Sequence, residues 1–143
     1  MKKTILFIAL LLSLISFEAR AASSYCFWGY CGGKVTGEFG SKKSGKGAIY
    51  IPAEISKLYQ GKTISVVKVG LAAMAKNVKV FITKDLNGEN AVTKTAGALY
   101  NGWNEVKLSS NYTIDGEPFY IGYSYEGDNL SMGRSDMYSE NGC

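Results

Sequence analysis

Residues 63–71, Thr-Ile-Ser-Val-Val-Lys-Val-Gly-Leu, and residues 78–83, Val-Lys-Val-Phe-Ile-Thr, decide the fold of this chain. Large apolar side chains recur at every second position, as at Val78, Val80 and Ile82 in the second stretch. Successive side chains of a strand point to opposite faces, so this alternation predicts strands with one buried face.

The same period continues toward the end of the sequence. Val106 and Leu108 give one strand face, and residues 119–125 place Phe, Ile, Tyr and Tyr on one side with Tyr, Gly and Ser on the other. Between these segments, residues 85–88 predict a turn, whereas Asn101-Gly102 and Asp115-Gly116 predict tight hairpin turns.

One helix interrupts the strands. A strand pattern at residues 48–51 is followed by Pro52, then by apolar residues at helical spacing, and Gly61 supplies a stop signal. We therefore expect a mainly β fold, an antiparallel β-sandwich or jelly roll, with one short helix at about residues 52–60.

The first 21 residues have the pattern of a secretory signal peptide. Lys2 and Lys3 precede an apolar run at residues 5–17, and Ala19-Arg20-Ala21 provides a cleavage site. We expect a protein that is secreted, periplasmic or at the cell surface. Residues 22–47 form a Gly- and Lys-rich segment with a cysteine pair, and we assign the sandwich domain to residues 48–143.

Charge and hydropathy argue against two kinds of partner. The net charge of the full chain is +4, and it falls to +2 when residues 1–21 are set aside. The remaining basic residues are scattered except for Lys42, Lys43 and Lys46, so we expect no nucleic-acid partner. Beyond residue 21, no apolar run is long enough for a transmembrane segment.

Three cysteines lie in the exported part, so at least one has no partner within the chain. Cys26 and Cys31 bracket Phe-Trp-Gly-Tyr and predict a small disulfide loop. Two alternatives are open: both cysteines stay reduced, or one of them pairs with Cys143. We expect Cys143 to remain a free thiol or to form an intermolecular bond, and so to be one route to an oligomer.

The absence of histidine excludes several reaction classes. Ser-His-Asp and Cys-His catalysis and the common zinc sites all need an imidazole. A carboxylate pair could still hydrolyse glycosides, but no spacing marks out a pair. The candidates are Glu54, Asp85, Glu105, Asp115, Glu117, Glu126, Asp128 and Asp136. We expect no catalytic residues.

Aromatic residues are the main candidates for ligand contact. Tyrosine and tryptophan combine a large apolar surface with a hydrogen-bonding tip, which suits both sugars and proteins. Trp28 and Tyr30 lie in a glycine-flanked segment, whereas Tyr100 and Trp103 flank the Asn101-Gly102 turn. Cofactors and metal sites are not expected, apart from a structural calcium ion at the oxygen-rich residues 85–90, where a plain turn is the simpler interpretation.

The chain resembles a known domain over residues 48–125. The run 48–70, followed by 79–82, 102–108 and 119–123, is similar to the galactose-binding-like jelly-roll domain of bacterial secreted and surface proteins. Related modules accompany gingipain-like adhesins and streptopain-type peptidases. The resemblance implies an adhesion or accessory role and transfers no catalytic residue, because a streptopain-type nucleophile needs a histidine. It also implies further strands beyond Tyr125, so we expect the last strand to be degenerate or missing.

These observations predict a non-catalytic binding or adhesion module for a glycan or a protein at the cell surface. Two alternatives remain. In the first, the chain is a structural or assembly element, or a truncated accessory domain of a larger secreted peptidase or adhesin. An unpaired sheet edge would mediate an oligomer in that case. A small histidine-free glycosidase is the third hypothesis.

Overall fold

The computed structural model describes residues 31–38, 43–127 and 131–138 of the chain. Strands dominate, and one short helix follows the second strand. The elements are β1 Cys31–Glu38, β2 Gly45–Ile51, α1 Ala53–Leu58, β3 Thr63–Leu71, β4 Ala75–Thr83, β5 Val92–Leu99, β6 Gly102–Thr113, β7 Phe119–Glu126 and β8 Gly133–Tyr138.

The eight strands pair in a nested order, as the two arms of one long hairpin would. The first strand pairs with the last, β2 with β7, β3 with β6 and β4 with β5, and each pair is antiparallel. A further ladder between β4 and β7 completes a four-stranded sheet in the order β2-β7-β4-β5. This nested pairing is the arrangement of a jelly roll.

The second layer consists of the β1-β8 and β3-β6 ladders. They meet where Leu71 pairs with Met132 and where the Ala72 N–H donates to the carbonyl of Ser131 at 2.9 Å. The Tyr123 hydroxyl, from the four-stranded sheet, donates to the carbonyl of Gly70 on β3 at 3.2 Å. The predicted antiparallel β-sandwich is confirmed.

The predicted helix is also present. Pro52 is extended and occupies the N-cap position, which leaves the six residues of α1 to bridge β2 and β3. Its Ser56 faces the protein, whereas Leu58 is 74% exposed. The helix is therefore a short connection between the two sheets.

The core lies between the layers and contains the side chains that the alternation predicted. Most inward positions on both sheets are buried, and they share aliphatic or aromatic character. They include Ile51, Val67, Val69, Leu71, Val78, Val80, Ile82, Val106, Leu108, Phe119 and Tyr125. Burying apolar surface of this kind is the main term that stabilises a domain.

Strand β4 differs from its prediction because it is buried on both faces near its end. Phe81 and Thr83 point away from the core, yet they are 2% and 0% exposed. The Thr83 hydroxyl donates to the carbonyl of Asp85 at 2.6 Å, so the β4-β5 turn folds back over this strand. Lys46, from β2, places its ammonium 4.7 Å from the centre of the Phe81 ring.

The chain turns at both predicted hairpin positions, but the prediction that these turns form hairpins is wrong. Asn101-Gly102 joins β5 to β6, and Asp115-Gly116 joins β6 to β7, but neither pair of strands shares a ladder. Both turns cross from one sheet to the other. The Asn-Gly and Asp-Gly pairs indicate where the backbone reverses direction. They do not determine which strands hydrogen-bond to each other.

The sandwich extends beyond the limits assigned from the sequence. Strand β1 and the start of β2 lie before residue 48, and they pair with β8 and β7. A final strand after Tyr125 is present as β8, in place of the degenerate or missing strand that we expected. Glycine disfavours strands, but pairing with β8 and β7 overrides that weak local preference in β1 and at the start of β2.

Candidate functional site

The side chain of Trp103 lies on the outer face of the second layer, over a glycine. Gly70 on β3 is its partner across the ladder. A methyl group at Gly70 would lie 3.1 Å from Cζ3 of Trp103, which is tighter than an ordinary contact. Glycine at this position therefore leaves room for the indole ring to lie against the sheet.

A second glycine extends the surface beneath the indole. Gly133 on β8 faces Val35 of β1, and a methyl group at Gly133 would lie 2.6 Å from Cγ1 of Val35. The other methyl group of Val35 approaches Gly70 as well, and it would lie 3.3 Å from a methyl group added there. The side chains of Val35 and Trp103 therefore lie next to each other over Gly70, and Val35 also covers Gly133.

The polar atom of the indole has a partner within the protein. Trp103 Nε1–H donates to the carbonyl of Gly33 on β1 at 2.8 Å. The side chain is still 38% exposed. Because its single donor is occupied, the indole offers a ligand its aromatic surface and no further hydrogen bond.

Asn104 fixes the turn that precedes Trp103. Its Oδ1 accepts the N–H of Tyr100 at 3.3 Å, and its Nδ2 donates to the carbonyls of Tyr100 and Gly102 at 2.8 and 3.0 Å. Gly102 has a φ of 95°, a conformation that favours glycine. The side chain of Asn104 therefore holds the backbone of the turn between Tyr100 and Trp103 through three hydrogen bonds.

Tyr100 and Met74 project from the same end of the sandwich. Ala75 pairs with Leu99, so Met74 and Tyr100 are the adjoining residues just outside this pair. Tyr100 is 65% exposed and Met74 is 43% exposed. We call Met74, Tyr100 and Trp103 the aromatic corner.

Met74 was not identified from the sequence. The available signal was a single long apolar side chain after Ala72 and Ala73, in a segment between two strands. The sequence alone does not connect Met74 with Tyr100, because only the β4-β5 register places the two residues next to each other.

Lys68 and Glu105 form an ion pair with their charged atoms 3.4 Å apart. They pair across the β3-β6 ladder two residues from Gly70 and Trp103, on the same face of the sheet.

Several predicted residues lie outside the described part of the chain. Trp28, Tyr30, Cys26 and Cys143 belong to this group, as do residues 1–21. Cys31 is the first residue of β1, and its backbone pairs with Tyr138. Tyr100 and Trp103 are therefore the predicted contact residues whose surroundings can be described.

Six of the candidate carboxylates are exposed, Glu54, Asp85, Glu105, Asp115, Glu117 and Glu126, whereas Asp128 and the side chain of Asp136 lie outside the described part of the chain. Asp115 is bonded to the ammonium of Lys84, and this contact lowers the pKa of the carboxyl. The N–H of Glu117 also donates to Asp115 Oδ1 at 3.1 Å. A glycosidase acid needs a raised pKa, so Asp115 is shifted in the opposite direction from that role.

The oxygen-rich residues 85–90 form a turn stabilised by their own hydrogen bonds. Asp85 Oδ1 accepts the N–H of Asn87 at 2.9 Å, which is the geometry of an Asx turn. Across residues 31–38, 43–127 and 131–138, no three metal-binding His, Cys, Asp or Glu side chains cluster.

The described helix has six residues, and no helix in that part of the chain has the length and hydropathy to cross a bilayer.

Replacing Trp103 with phenylalanine tests whether the indole fastens β1. We expect Trp103→Phe to lower the free energy of unfolding by about 1 kcal/mol, because the bond to Gly33 is lost while most of the ring contact remains. Urea unfolding followed by circular dichroism measures the change. Tyr100→Phe, at the other side of the turn, is the control and should stay within about 0.5 kcal/mol of the parent protein. Equal stabilities for Trp103→Phe and the parent would contradict the fastening role.

Comparisons of the chain with protein-family models, curated proteins and solved structures found no match.

Proposed function

We propose that this protein is an exported, non-catalytic binding module that recognises a glycan through the aromatic corner. The observation that carries the proposal is the exposure of Tyr100 and Trp103 on either side of a turn that Asn104 holds in place. Because the backbone of this turn is already ordered, ligand binding loses little conformational entropy there.

A sugar ring matches the chemistry of this corner. Its C–H face is apolar, and its hydroxyl groups project around the rim. The Trp103 indole presents an aromatic surface with its N–H already bonded to Gly33. The ion pair of Lys68 and Glu105 nearby supplies charged donors and acceptors for hydroxyl groups.

Export accounts for where such a module would act. The pattern of residues 1–21 is typical of a cleaved signal peptide and supports a location in the periplasm, at the cell surface or outside the cell. The resemblance to accessory domains of secreted adhesins and peptidases supports the same setting. The absence of histidine and the exposure of Glu54, Asp85, Glu105, Asp115, Glu117 and Glu126 support a role without catalysis.

Tyr100→Ala is the sharpest test because this side chain is the most exposed member of the aromatic corner. We expect at least a tenfold loss of affinity for the glycans that the parent protein binds on an array, which is about 1.4 kcal/mol. Base stacking on aromatic residues shows the size of effect that one ring provides, about 1–3 kcal/mol. Isothermal titration with the best array ligand measures the affinity.

Leu58→Ala is the matched control, since it truncates an apolar side chain that is 74% exposed on α1, away from the corner. It should bind like the parent protein. An array without any bound glycan would contradict the proposed ligand class. If cell adhesion were then lost in Tyr100→Ala and kept in Leu58→Ala, the corner would recognise a protein, which tyrosine, tryptophan and methionine also suit.

A further inference from the structure

One row of polar side chains crosses the outer face of the four-stranded sheet. Lys46 on β2 pairs with Ser124 on β7, and Lys79 on β4 pairs with the same serine. Thr95 on β5 completes the row as the other partner of Lys79. Residues paired across antiparallel strands carry their side chains on the same face, and Phe81, which follows Lys79 at the next position of that face, points away from the core. The row therefore places two ammonium groups and two hydroxyl groups on the outer surface.

The ammonium of Lys46 has a fixed position on this face. Its Nζ donates to the carbonyl of Leu86 at 3.2 Å and lies 4.7 Å from the centre of the Phe81 ring. The attraction between the cation and the aromatic ring adds to the hydrogen bond. An ammonium group has three donors, so Lys46 can still donate to a ligand. Because the group is held in place beforehand, binding a ligand there costs little conformational entropy.

The positive charge of these two lysines is not balanced by a paired carboxylate. Among the described residues, neither Lys46 nor Lys79 forms an ion pair. Glu126 lies two residues after Ser124 on the same face, but its Oε2 accepts a hydrogen bond from Asn77 Nδ2 at 2.7 Å. A ligand with negative charge would therefore complement this part of the sheet.

Two tyrosines lie further along the same face. Tyr50 and Tyr120 pair across the β2-β7 ladder, and their ring centres are 5.1 Å apart with the planes tilted by 44°. Tyr50 is 49% exposed, and the small side chain of Ala48 separates it from Lys46 along β2. The distance along the strand from Lys46 to Tyr50 is about 13 Å. We call Lys46, Lys79, Tyr50 and Tyr120 the basic sheet face.

We propose that the basic sheet face binds an acidic polysaccharide, a sugar chain with one carboxylate on each ring. The two ammonium groups bind carboxylates through charge-assisted hydrogen bonds, and the tyrosines contact the apolar C–H faces of the rings. Lys46 and Lys79 are two strand spacings apart, about 10 Å between Cα atoms, so charges distributed along one chain reach both. This inference goes beyond the proposed function and does not depend on the aromatic corner, whose Trp103 lies on the other layer.

The same side chains suit a protein or a nucleic acid less well. Lysine, serine and alanine are depleted where proteins bind each other, yet Lys46, Ala48 and Ser124 lie at the centre of this face. Proteins that bind single-stranded nucleic acids line a groove with many basic residues, whereas this face has two lysines on an open sheet. Hydroxyl groups beside the lysines, at Ser124 and Thr95, match the hydroxyl-rich edge of a sugar.

Titration of the exported chain with polygalacturonate tests the proposal. We expect binding at low ionic strength and no binding of dextran, which has the same kind of backbone without charge. Raising the ionic strength from about 0.01 M to about 0.15 M should weaken binding, because salt screens exposed charges. Failure to bind polygalacturonate, or equal binding of dextran, would overturn the proposal. Tighter binding of heparin or of a single-stranded thymidine oligonucleotide would also overturn it, since the face would then recognise sulfate or phosphate groups.

Substitutions locate the binding on this face. Lys79→Gln should lower the affinity for polygalacturonate by at least about fivefold, whereas Lys79→Arg, which keeps the charge, should retain it. Tyr50→Ala should also lower the affinity, because a ring that contacts the sugar is lost. Lys107→Gln is the matched control: Lys107 is an exposed lysine on β6, in the other layer, and this variant should bind like the parent protein.

Tyr100→Ala separates this site from the aromatic corner. It should keep full affinity for polygalacturonate even where it loses the array glycans, and Lys79→Gln should keep the array glycans. Equal losses of polygalacturonate binding in Lys79→Gln and Lys107→Gln would contradict the site, as would an unchanged affinity in Tyr50→Ala. A loss in Tyr100→Ala as large as that in Lys79→Gln would assign the acidic polysaccharide to the corner and overturn the second site.

Discussion

Gly122→Ala should unfold the protein or lower its free energy of unfolding by at least about 3 kcal/mol. Gly122 lies in β7, between β2 and β4, with Ala48 and Phe81 as its partners in the two ladders. A methyl group there would lie 2.4 Å from the carbonyl oxygen of Gly47 and 2.5 Å from Cζ of Phe81. A domain of this size is stable by about 5–15 kcal/mol, so the loss is a large fraction of the total.

The cost is high because the obstructing atoms include backbone. A flexible side chain can rotate away from a new methyl group, but the Gly47 carbonyl belongs to the β2 strand. Relieving the overlap means moving β2 away from β7, which weakens the ladder that runs from Gly45 to Ile51. The substitution should therefore loosen the whole edge of the four-stranded sheet.

Gly37→Ala is the matched control for this substitution. Gly37 is also in a strand, and a methyl group there meets only Nη2 of Arg134, at an ordinary 3.7 Å. Its stability should stay within about 0.5 kcal/mol of the parent protein. Urea unfolding followed by circular dichroism measures both variants. Similar midpoints for Gly122→Ala and Gly37→Ala would show that β2 and β7 are not packed as described.

Phe119→Ala is the second substitution with a large expected effect, about 3–5 kcal/mol of lost stability. The Phe119 side chain is 1% exposed and begins β7 opposite Ile51. Its ring centre is 5.2 Å from that of Tyr112 on β6, so it joins the two layers. Truncation removes buried apolar surface and leaves a cavity between the sheets.

The same unfolding measurement tests Phe119→Ala, with Leu58→Ala as its control. Leu58 is also a large apolar residue, but it is 74% exposed, and its truncation should change stability by less than about 0.5 kcal/mol. Phe119→Leu, which keeps most of the apolar volume, should fall between the two. A loss below about 1 kcal/mol for Phe119→Ala would contradict the position of this ring in the core.

Two members of the aromatic corner, Tyr100 and Trp103, were singled out from the sequence, whereas Met74 was not. Trp103 is out of phase with Val106 and Leu108, and the structure places it on the outer face while they are buried. Its hydrogen bond to Gly33 could not be predicted, because the two residues are 70 positions apart in the sequence. The neighbourhood of Met74 and Tyr100 similarly depends on the β4-β5 register.

Phe81 and Thr83 show where the alternation rule stops. Their positions on the solvent side of β4 followed from period two, but their burial follows from the turn after Thr83 and from the space above Gly122. A strand pattern assigns a side chain to a face. Whether that face is buried depends on which other segments of the chain pack against it.

The sequence by itself determined most of the strands, their inward faces, the helix at α1 and the places where the chain reverses. These features depend on side-chain alternation and on backbone preferences of a few neighbouring residues, which act locally. Only the tertiary structure decided that β1 pairs with β8, that Cys31 lies opposite Tyr138 in that ladder, and that two turns cross between sheets. Those choices depend on which ladders bury the most apolar surface and satisfy the most backbone groups, and they are made between residues far apart in the chain.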